Sequence, residues 1–129
     1  MNQAEHYEQV ALFDWARQAE GRFPELGLLF AVPNGGARNV VTGTRLKKEG
    51  VKRGVPDVWL PVARGWYHGL VIEMKTAKGR ASPDQKIWLR ALAAEGWLAV
   101  ICVGAEAAIK TVERYLSGDC DPASLQAGG

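Results

Sequence analysis

The sequence predicts an α/β (α+β) fold in which a central mixed β-sheet is flanked by helices. Three stretches have apolar residues at the spacing of an amphipathic helix, and four short apolar runs lie among them. The resulting order is α-β-β-β-α-β-α, without an internal repeat or a linker. At 129 residues the chain is long enough for one hydrophobic core but not for two. We therefore expect one domain over residues 1–118 and a disordered tail over residues 119–129.

The helices are predicted from their periodicity and from the residues at their ends. The first extends over about Gln3–Ala19, and the last over Ala105–Leu116. Between them, Ser82 followed by Pro83 is typical of a helix N-cap and first helical position, so a helix is expected from there to about residue 94. The residues of this helix expected to face inward are Ile87, Trp88, Ala91 and Leu92.

The strands are predicted from short apolar runs bounded by turn residues. They cover residues 28–32, 55–62, 70–75 and 96–104. The last run, GWLAVICVG, is nearly all apolar, which favours a central position in the sheet. The stretch PNGGARN after the first strand predicts a loop, and residues 44–49 predict a single basic helical turn.

Composition and hydropathy limit the class of protein. Hydrophobic residues make up 47% and charged residues 23% of the chain, an ordinary balance for a globular domain. No apolar run approaches the ~20 residues of a membrane span, and no signal-peptide core follows the N-terminus, so we expect a cytoplasmic protein without a membrane partner. Cys102 and Cys120 have no nearby Cys or His, which argues against a zinc site.

Positive charge is concentrated in one segment. Residues 38–53 carry six basic residues and one acid, a net charge of +5, whereas the whole chain carries +2. Such a segment predicts contact with a polyanion, although a solvated basic loop would have the same composition. The basic residues are Arg38, Arg45, Lys47, Lys48, Lys52 and Arg53.

The strand LVIEMK ends with a carboxylate and an ammonium group on one face, because Glu73 and Lys75 are two residues apart. Burying both is costly unless they act together, and a plain ion pair is the alternative interpretation. Asp57 opens the preceding strand, so an antiparallel hairpin would place it beside Glu73. Two adjacent carboxylates repel unless one is protonated or a cation lies between them. Such hard oxygen ligands suit Mg²⁺ or Mn²⁺.

Pro56-Asp57 followed by Glu73-Met74-Lys75 resembles the PD-(D/E)xK nuclease pattern. Further blocks agree with a narrower family, namely AVPNGGARN, LKKEGVKRGVPDVWLPV, GWYHGLVIEMK, GRASPDQKIWL and GWLAVICVG. In order and spacing they resemble the virus-type replication-repair nuclease (VRR-NUC) family over about residues 3–116. The resemblance implies a restriction-endonuclease-like fold and metal-dependent hydrolysis of DNA.

The resemblance also implies roles for single residues. Asp57 and Glu73 would hold Mg²⁺, for which Mn²⁺ could substitute, and the main-chain carbonyl of Met74 would complete the protein ligands. Lys75 would position the attacking water, and Gln85 would support Lys75 or that water. An acid from the first helix often completes such a site.

Two glutamates of the first helix could be that acid. On a helical wheel, Glu5 lies nearer than Glu8 to the centre of the apolar face that contains Leu12 and Ala16. The spacing from Glu5 to Gln9 also resembles the first block of the family better. We assign the role to Glu5 with Glu8 as the alternative, although either could be an acid favoured by the helix dipole.

Nucleic acid is the expected partner of the basic segment. The glycine-rich loop is not followed by the pattern of a phosphate-binding P-loop, so no nucleotide cofactor is expected. The expected DNA contacts are Asn34, Arg38, Lys47, Lys48, Lys52 and Arg53. Lysine and arginine contacts to phosphates give affinity without sequence readout.

The resemblance thus implies a Mg²⁺-dependent DNA endonuclease of bacterial or phage origin that acts in replication, repair or recombination. The expected substrate is branched DNA such as a Holliday junction, and a homodimer would place one site on each of two strands. The alternatives are a DNA-binding module without catalysis, a toxin-like or restriction-type nuclease, and a nuclease that acts on flaps or ends. The joint presence of Asp57, Glu73, Lys75 and Gln85 favours an enzyme.

Overall fold

The structure, a computed structural model, describes residues 3–33 and 40–119, with the backbone alone for residues 40–42. Asn34, Arg38, Cys120 and the tail from residue 120 lie outside these ranges, so the expectations for them stay predictions. Within the described ranges, no helix has the length and apolar character that crossing a membrane requires.

The described residues form four α-helices, a short 3-10 helix and four strands. The helices are α1 (Gln3–Ala19), α2 (Val40–Lys48), α3 (Pro83–Ala94) and α4 (Ala105–Leu116), and the 3-10 helix covers Pro24–Leu28. The strands are β1 (Phe30–Ala31), β2 (Val58–Leu60), β3 (Leu70–Lys75) and β4 (Leu98–Val103). Helix α2 is longer than the single turn that the sequence predicts, because it begins at Val40.

The strands form one mixed sheet in the order β1-β2-β3-β4. Strands β1, β2 and β3 pair in antiparallel fashion, whereas β4 runs parallel to β3 and is reached through the crossover helix α3. This arrangement confirms the predicted mixed sheet flanked by helices. The predicted central position of the last strand is wrong, since β4 is at the edge of the sheet formed by the described residues. Helices α3 and α4 both contact β4, and Leu98, Val100 and Cys102 are buried, whereas Ile101 and Val103 are 39% and 45% exposed.

The hydrophobic core lies between one face of the sheet and helices α1 and α4. Alternate strand residues point into it, among them Val58, Leu60, Leu70, Ile72, Met74, Leu98, Val100 and Cys102. Leu12 of α1 and Val112 and Tyr115 of α4 close the core from the other side. Because side chains alternate along a strand, Glu73 and Lys75 belong to the opposite face of the sheet. Because the apolar residues of β3 must face the core, Glu73 and Lys75 must lie on the other side of the sheet.

Helix α3 packs against β4, but it buries fewer residues than the sequence predicts. The helix has no fully buried residue, and Ile87 is 59% exposed. Ala91 is also exposed, so the prediction that these two residues face inward is wrong, whereas Trp88 and Leu92 are half-buried. A helix against an edge strand is covered along a narrow stripe, which leaves part of its apolar surface in solvent.

Candidate active site

The antiparallel pairing of β2 with β3 brings the two carboxylates together. Val58 is opposite Ile72, and continuing this register by one residue places Asp57 opposite Glu73. Both acids are buried, with exposed fractions of 5% for Asp57 and 1% for Glu73. The main-chain N–H of Met74 donates to Asp57 Oδ2 at 2.9 Å, which holds the Asp57 side chain against the end of β3.

The two oxygens of the Glu73 carboxylate have different surroundings. Oε2 accepts a hydrogen bond of 3.0 Å from Gln85 Nε2 and lies 3.6 Å from Lys75 Nζ. Oε1 is buried and has no hydrogen-bond partner among the described residues. A buried carboxylate oxygen without a partner is costly, so Oε1 is the Glu73 atom suited to accept from a donor or to ligate a cation.

The environment of Glu73 opposes its negative charge. Burial in the sheet and the neighbouring Asp57 carboxylate raise the pKa of Glu73 from 4.5 to about 9, although Lys75 acts in the opposite direction. Glu73 is therefore protonated at neutral pH when no cation is present. A divalent cation beside the two acids would favour the ionised form.

Gln85 reaches Glu73 because of how helix α3 begins. Ser82 is the N-cap of the helix, and its Oγ accepts the Gln85 main-chain N–H at 3.2 Å. In return, Gln85 Oε1 accepts the Ser82 main-chain N–H at 2.8 Å, which completes a capping box. Because Gln85 Oε1 accepts from the Ser82 N–H, Gln85 Nε2 is the amide atom that donates to Glu73. A glutamate could also close the capping box, but it would bring a third carboxylate to Glu73.

Lys75 is held close to the acids by the loop that follows β3. The side chain is buried, and Gly79 lies beside its aliphatic part: a Cβ added at Gly79 would be 3.3 Å from Lys75 Cδ. The Gly79 N–H donates to the Thr76 carbonyl at 3.0 Å, which closes this turn. The sequence interpretation did not single out Gly79. The feature of the sequence that could have indicated its role is a glycine four residues after the predicted site lysine.

The donor set fits a hard divalent cation that is coordinated in part by the protein. Asp57 and Glu73 supply carboxylate oxygens, and Oε1 of Glu73 has no competing partner among the described residues. No group of three or more His, Cys, Asp or Glu side chains that could hold a metal is present in residues 3–33 and 40–119. The main-chain carbonyl of Met74 is the further candidate ligand beside Asp57 and Glu73.

The two glutamates of α1 have different surroundings. Glu8 Oε2 accepts the main-chain N–H of Ala105 at 2.5 Å. Ala105 is the first residue of α4, whose N-cap is Gly104 and thus has no side chain to cap the helix. Glu8 supplies that cap from another helix, a role that the sequence interpretation missed. A predicted helix preceded by glycine was the feature of the sequence that could have indicated a cap from elsewhere in the chain. Glu5 is half-buried, and its proposed role at the site stays a prediction.

The basic segment approaches the site through a close contact of Gly54. A Cβ added at Gly54 would lie 2.6 Å from the Asp84 carbonyl carbon, and its φ of +84° is a conformation that side chains disfavour. Asp84 is next to Gln85, so this contact positions the exposed Lys52 and Arg53 near the start of α3. The other two predicted contacts within the described residues, Lys47 and Lys48, are exposed in the last turn of α2.

Comparisons with known proteins agree with this fold. The VRR-NUC domain family matches residues 3–106 of the chain. A solved structure described as a VRR_NUC domain protein is similar to this chain with 30% sequence identity and a TM-score of 0.77, covering 92% of each chain. No match is found among curated proteins.

Proposed function

Since the chain belongs to the VRR-NUC family, we propose that this nuclease-type domain is a metal-dependent endonuclease that hydrolyses DNA phosphodiester bonds. The observation that carries the proposal is the buried pair Asp57 and Glu73, with Lys75 and Gln85 both directed at one Glu73 oxygen. A structural ion pair would need neither the second carboxylate nor the unpartnered oxygen.

Asp57 and Glu73 would hold Mg²⁺, with Mn²⁺ as a substitute and the Met74 carbonyl as the third protein ligand. When bound, the ion would act as a Lewis acid that stabilises the negative charge developing on the scissile phosphate. Gln85 fixes the orientation of the Glu73 carboxylate by holding Oε2, so that Oε1 is the oxygen left for the ion.

Lys75 is the group that orients the attacking water. Its ammonium lies 3.6 Å from Glu73 Oε2, so it is close to the acids without being locked in a short ion pair. An ammonium group has three N–H donors, so Lys75 can contact Glu73 and still donate to a water. Lys47, Lys48, Lys52 and Arg53 would bind the phosphates on either side of the scissile bond.

The proposed substrate is branched DNA, and the proposed assembly is a homodimer with one site for each of two strands. The described basic side chains are on the surface, where they can contact phosphates without reading bases. A two-fold dimer matches the symmetry of a four-way junction, which makes a Holliday junction the first substrate to test. Flaps and ends are the second candidates.

The test is cleavage of a labelled four-way junction beside matched duplex, flap and single-stranded DNA, with Mg²⁺, Mn²⁺ or EDTA. Lys75→Ala removes the water-orienting group and is expected to lower the cleavage rate by roughly 100-fold or more. Lys110→Ala is the matched control, because Lys110 is an exposed lysine of α4 that pairs with Glu106 of the same helix at 3.4 Å.

Symmetric, metal-dependent nicks in the junction that Lys75→Ala loses and Lys110→Ala keeps would support a dimeric nuclease built on this site. Equal cleavage of every substrate would retain the nuclease and reject selectivity for junctions. DNA binding without cleavage in either metal would reject catalysis. That result would favour the alternative of a DNA-binding module without catalysis.

A further inference from the structure

Helix α1 and the edge strand β1 form an open pocket of about 300 Å³, and neither Asp57 nor Glu73 is among its described lining residues. Its described lining residues are His6, Gln9, Val10, Phe13, Arg17 and Ala31. Five of them follow one another along a single face of α1, and Ala31 faces them from the strand. This volume is at the lower limit of the range of ligand pockets, roughly 300–1,000 Å³, and suits one planar ring system better than a base pair.

Gln9, which lines the pocket, has a buried polar atom without a partner in the described part of the chain. Gln9 Oε1 is buried and has no hydrogen-bond partner among the described residues. Glu73 Oε1 is the other side-chain atom in this condition within the same residues. Buried amides normally have partners, so an amide beside the pocket that has none among the described residues is free to turn towards a ligand that offers a hydrogen bond.

The pocket adjoins the strand that flanks the catalytic acid. Ala31 pairs with Val58, the residue after Asp57, and the Val32 N–H donates to the Asp57 carbonyl at 2.8 Å. The lining of the pocket is therefore one strand away from Asp57. A nucleic-acid strand whose phosphate is at the acids has its neighbouring nucleotides within reach of this pocket.

The lining has the chemistry of a site for an aromatic ring. Phe13 is half-buried, packs against the core and contributes to the pocket wall, so it is an aromatic surface held in place from behind. Arg17 and His6 are exposed lining residues. Arg17 is already paired with Asp14 at 3.0 Å, which makes a neutral ring a better occupant of the pocket than a free phosphate.

We propose that this pocket binds one unpaired nucleobase of the DNA substrate, stacked on Phe13 and hydrogen-bonded to the Gln9 amide. An amide can present either its oxygen or its NH₂ by rotation, so it can pair with any of the bases. Stacking on an aromatic residue is likewise tolerant of sequence. Because paired bases inside a duplex are not available, the pocket favours DNA that is branched or has a single-stranded segment.

This inference rests on the proposed action on DNA, and its test is made without cleavage so that the two can fail separately. The protein is bound in EDTA to a forked DNA that carries 2-aminopurine at single unpaired positions next to the branch. Fluorescence anisotropy gives the affinity for the fork and for a blunt duplex, and 2-aminopurine emission reports the surroundings of each base. The variant is Gln9→Leu, and the control is Gln18→Leu, an exposed position of α1 outside the pocket.

The wild type is expected to bind the fork more tightly than the duplex and to change the emission at one position. Gln9→Leu should show no such change in emission. Its affinity for the fork should be about tenfold lower, because one hydrogen bond to a buried partner is lost, whereas its affinity for the duplex should change little. Its Tm should equal or exceed that of the wild type, because an unpaired buried amide is removed. A purely structural Gln9 would instead lower the Tm and leave the preference for forks unchanged.

Equal affinity and emission for Gln9→Leu and Gln18→Leu would overturn the proposal, as would a wild type that binds the fork without any change in emission. Normal cleavage in Mg²⁺ together with either result would leave the nuclease intact and remove only the base pocket. The emission change at one position without cleavage in Mg²⁺ or Mn²⁺ would support the pocket and reject the nuclease.

Discussion

The protonation of Glu73 connects the chemistry of the site to the stability of the fold. In the folded protein the pKa of this group is raised from 4.5 to about 9, first by burial and then by Asp57. The folded state therefore holds a proton that the unfolded chain releases at lower pH. A raised carboxyl pKa contributes stability that is complete below about pH 4.5 and is lost as the pH rises towards 9.

We expect the free energy of unfolding in EDTA to fall between about pH 5 and pH 9, with a slope of up to about 1.4 kcal/mol per pH unit. Glu73→Gln keeps the shape of the side chain but has no proton to release, so it should flatten this dependence. Urea denaturation at a series of pH values measures it. Glu106→Gln is the control at an exposed position and should follow the wild type. A wild type without pH dependence over this range would contradict the assigned protonation.

Gly79 is expected to determine where the Lys75 ammonium lies. Gly79→Ala would place a methyl group 3.3 Å from Lys75 Cδ, so the buried lysine must move by a few tenths of an ångström. Because misplacement of a catalytic group is costly, kcat for DNA cleavage should fall roughly threefold to tenfold with little change in DNA affinity. Gly21→Ala is the control, since nothing lies within 4 Å of an added Cβ there. Equal rates for the two variants would show that Lys75 adapts.

At the scale of elements, helix α4 depends on α1 for its N-terminal cap. The Glu8 carboxylate accepts the Ala105 N–H across 97 residues of sequence, where Gly104 offers no side chain of its own. Removing an N-cap interaction costs about 1 kcal/mol in typical cases. The contact thus attaches the first helix of the chain to the last described one.

Glu8→Ala should lower the free energy of unfolding by about 1 kcal/mol and leave DNA cleavage by the folded protein near the wild-type rate. Urea denaturation and cleavage of the preferred substrate test the two parts. Glu106→Ala, which removes an exposed acid in the first turn of α4, should change stability by less than about 0.5 kcal/mol. Loss of cleavage at unchanged stability would assign Glu8 to the active site in place of Glu5.

At the scale of the whole molecule, a bound metal should stabilise the folded state, because the unfolded chain does not bring the two acids together. Mg²⁺ at ten times its Kd should add about 1.4 kcal/mol to the free energy of unfolding. Asp57→Asn should lose most of this gain, and thermal unfolding with and without Mg²⁺ measures it. An equal gain in Asp57→Asn would place the ion elsewhere.

Local patterns predicted the parts of the fold and site that are close in sequence. The pairing of Asp57 with Glu73 follows from strand alternation and one hairpin, and the start of α3 follows from Ser82 and Pro83. The edge position of β4 does not follow, because an apolar run is equally compatible with an edge strand that leaves Ile101 and Val103 partly exposed. The exposure of Ile87 depends on how much of α3 the sheet covers. The contact of Glu8 with Ala105 could not be predicted, because periodicity relates only residues that are close in sequence and these two are 97 residues apart.

That separation also affects how the chain folds during synthesis. Residues 57–85 contain Asp57, Glu73, Lys75 and Gln85, so the hairpin and the start of α3 can assemble as soon as that segment is available. Helix α1 is synthesised earlier, but its capping contact must wait for Ala105, 97 residues later. At roughly 5–20 residues per second, synthesis of that stretch takes about 5–20 s. During this interval the apolar face of α1 around Leu12 lacks α4, so the nascent chain exposes surface that a chaperone can bind.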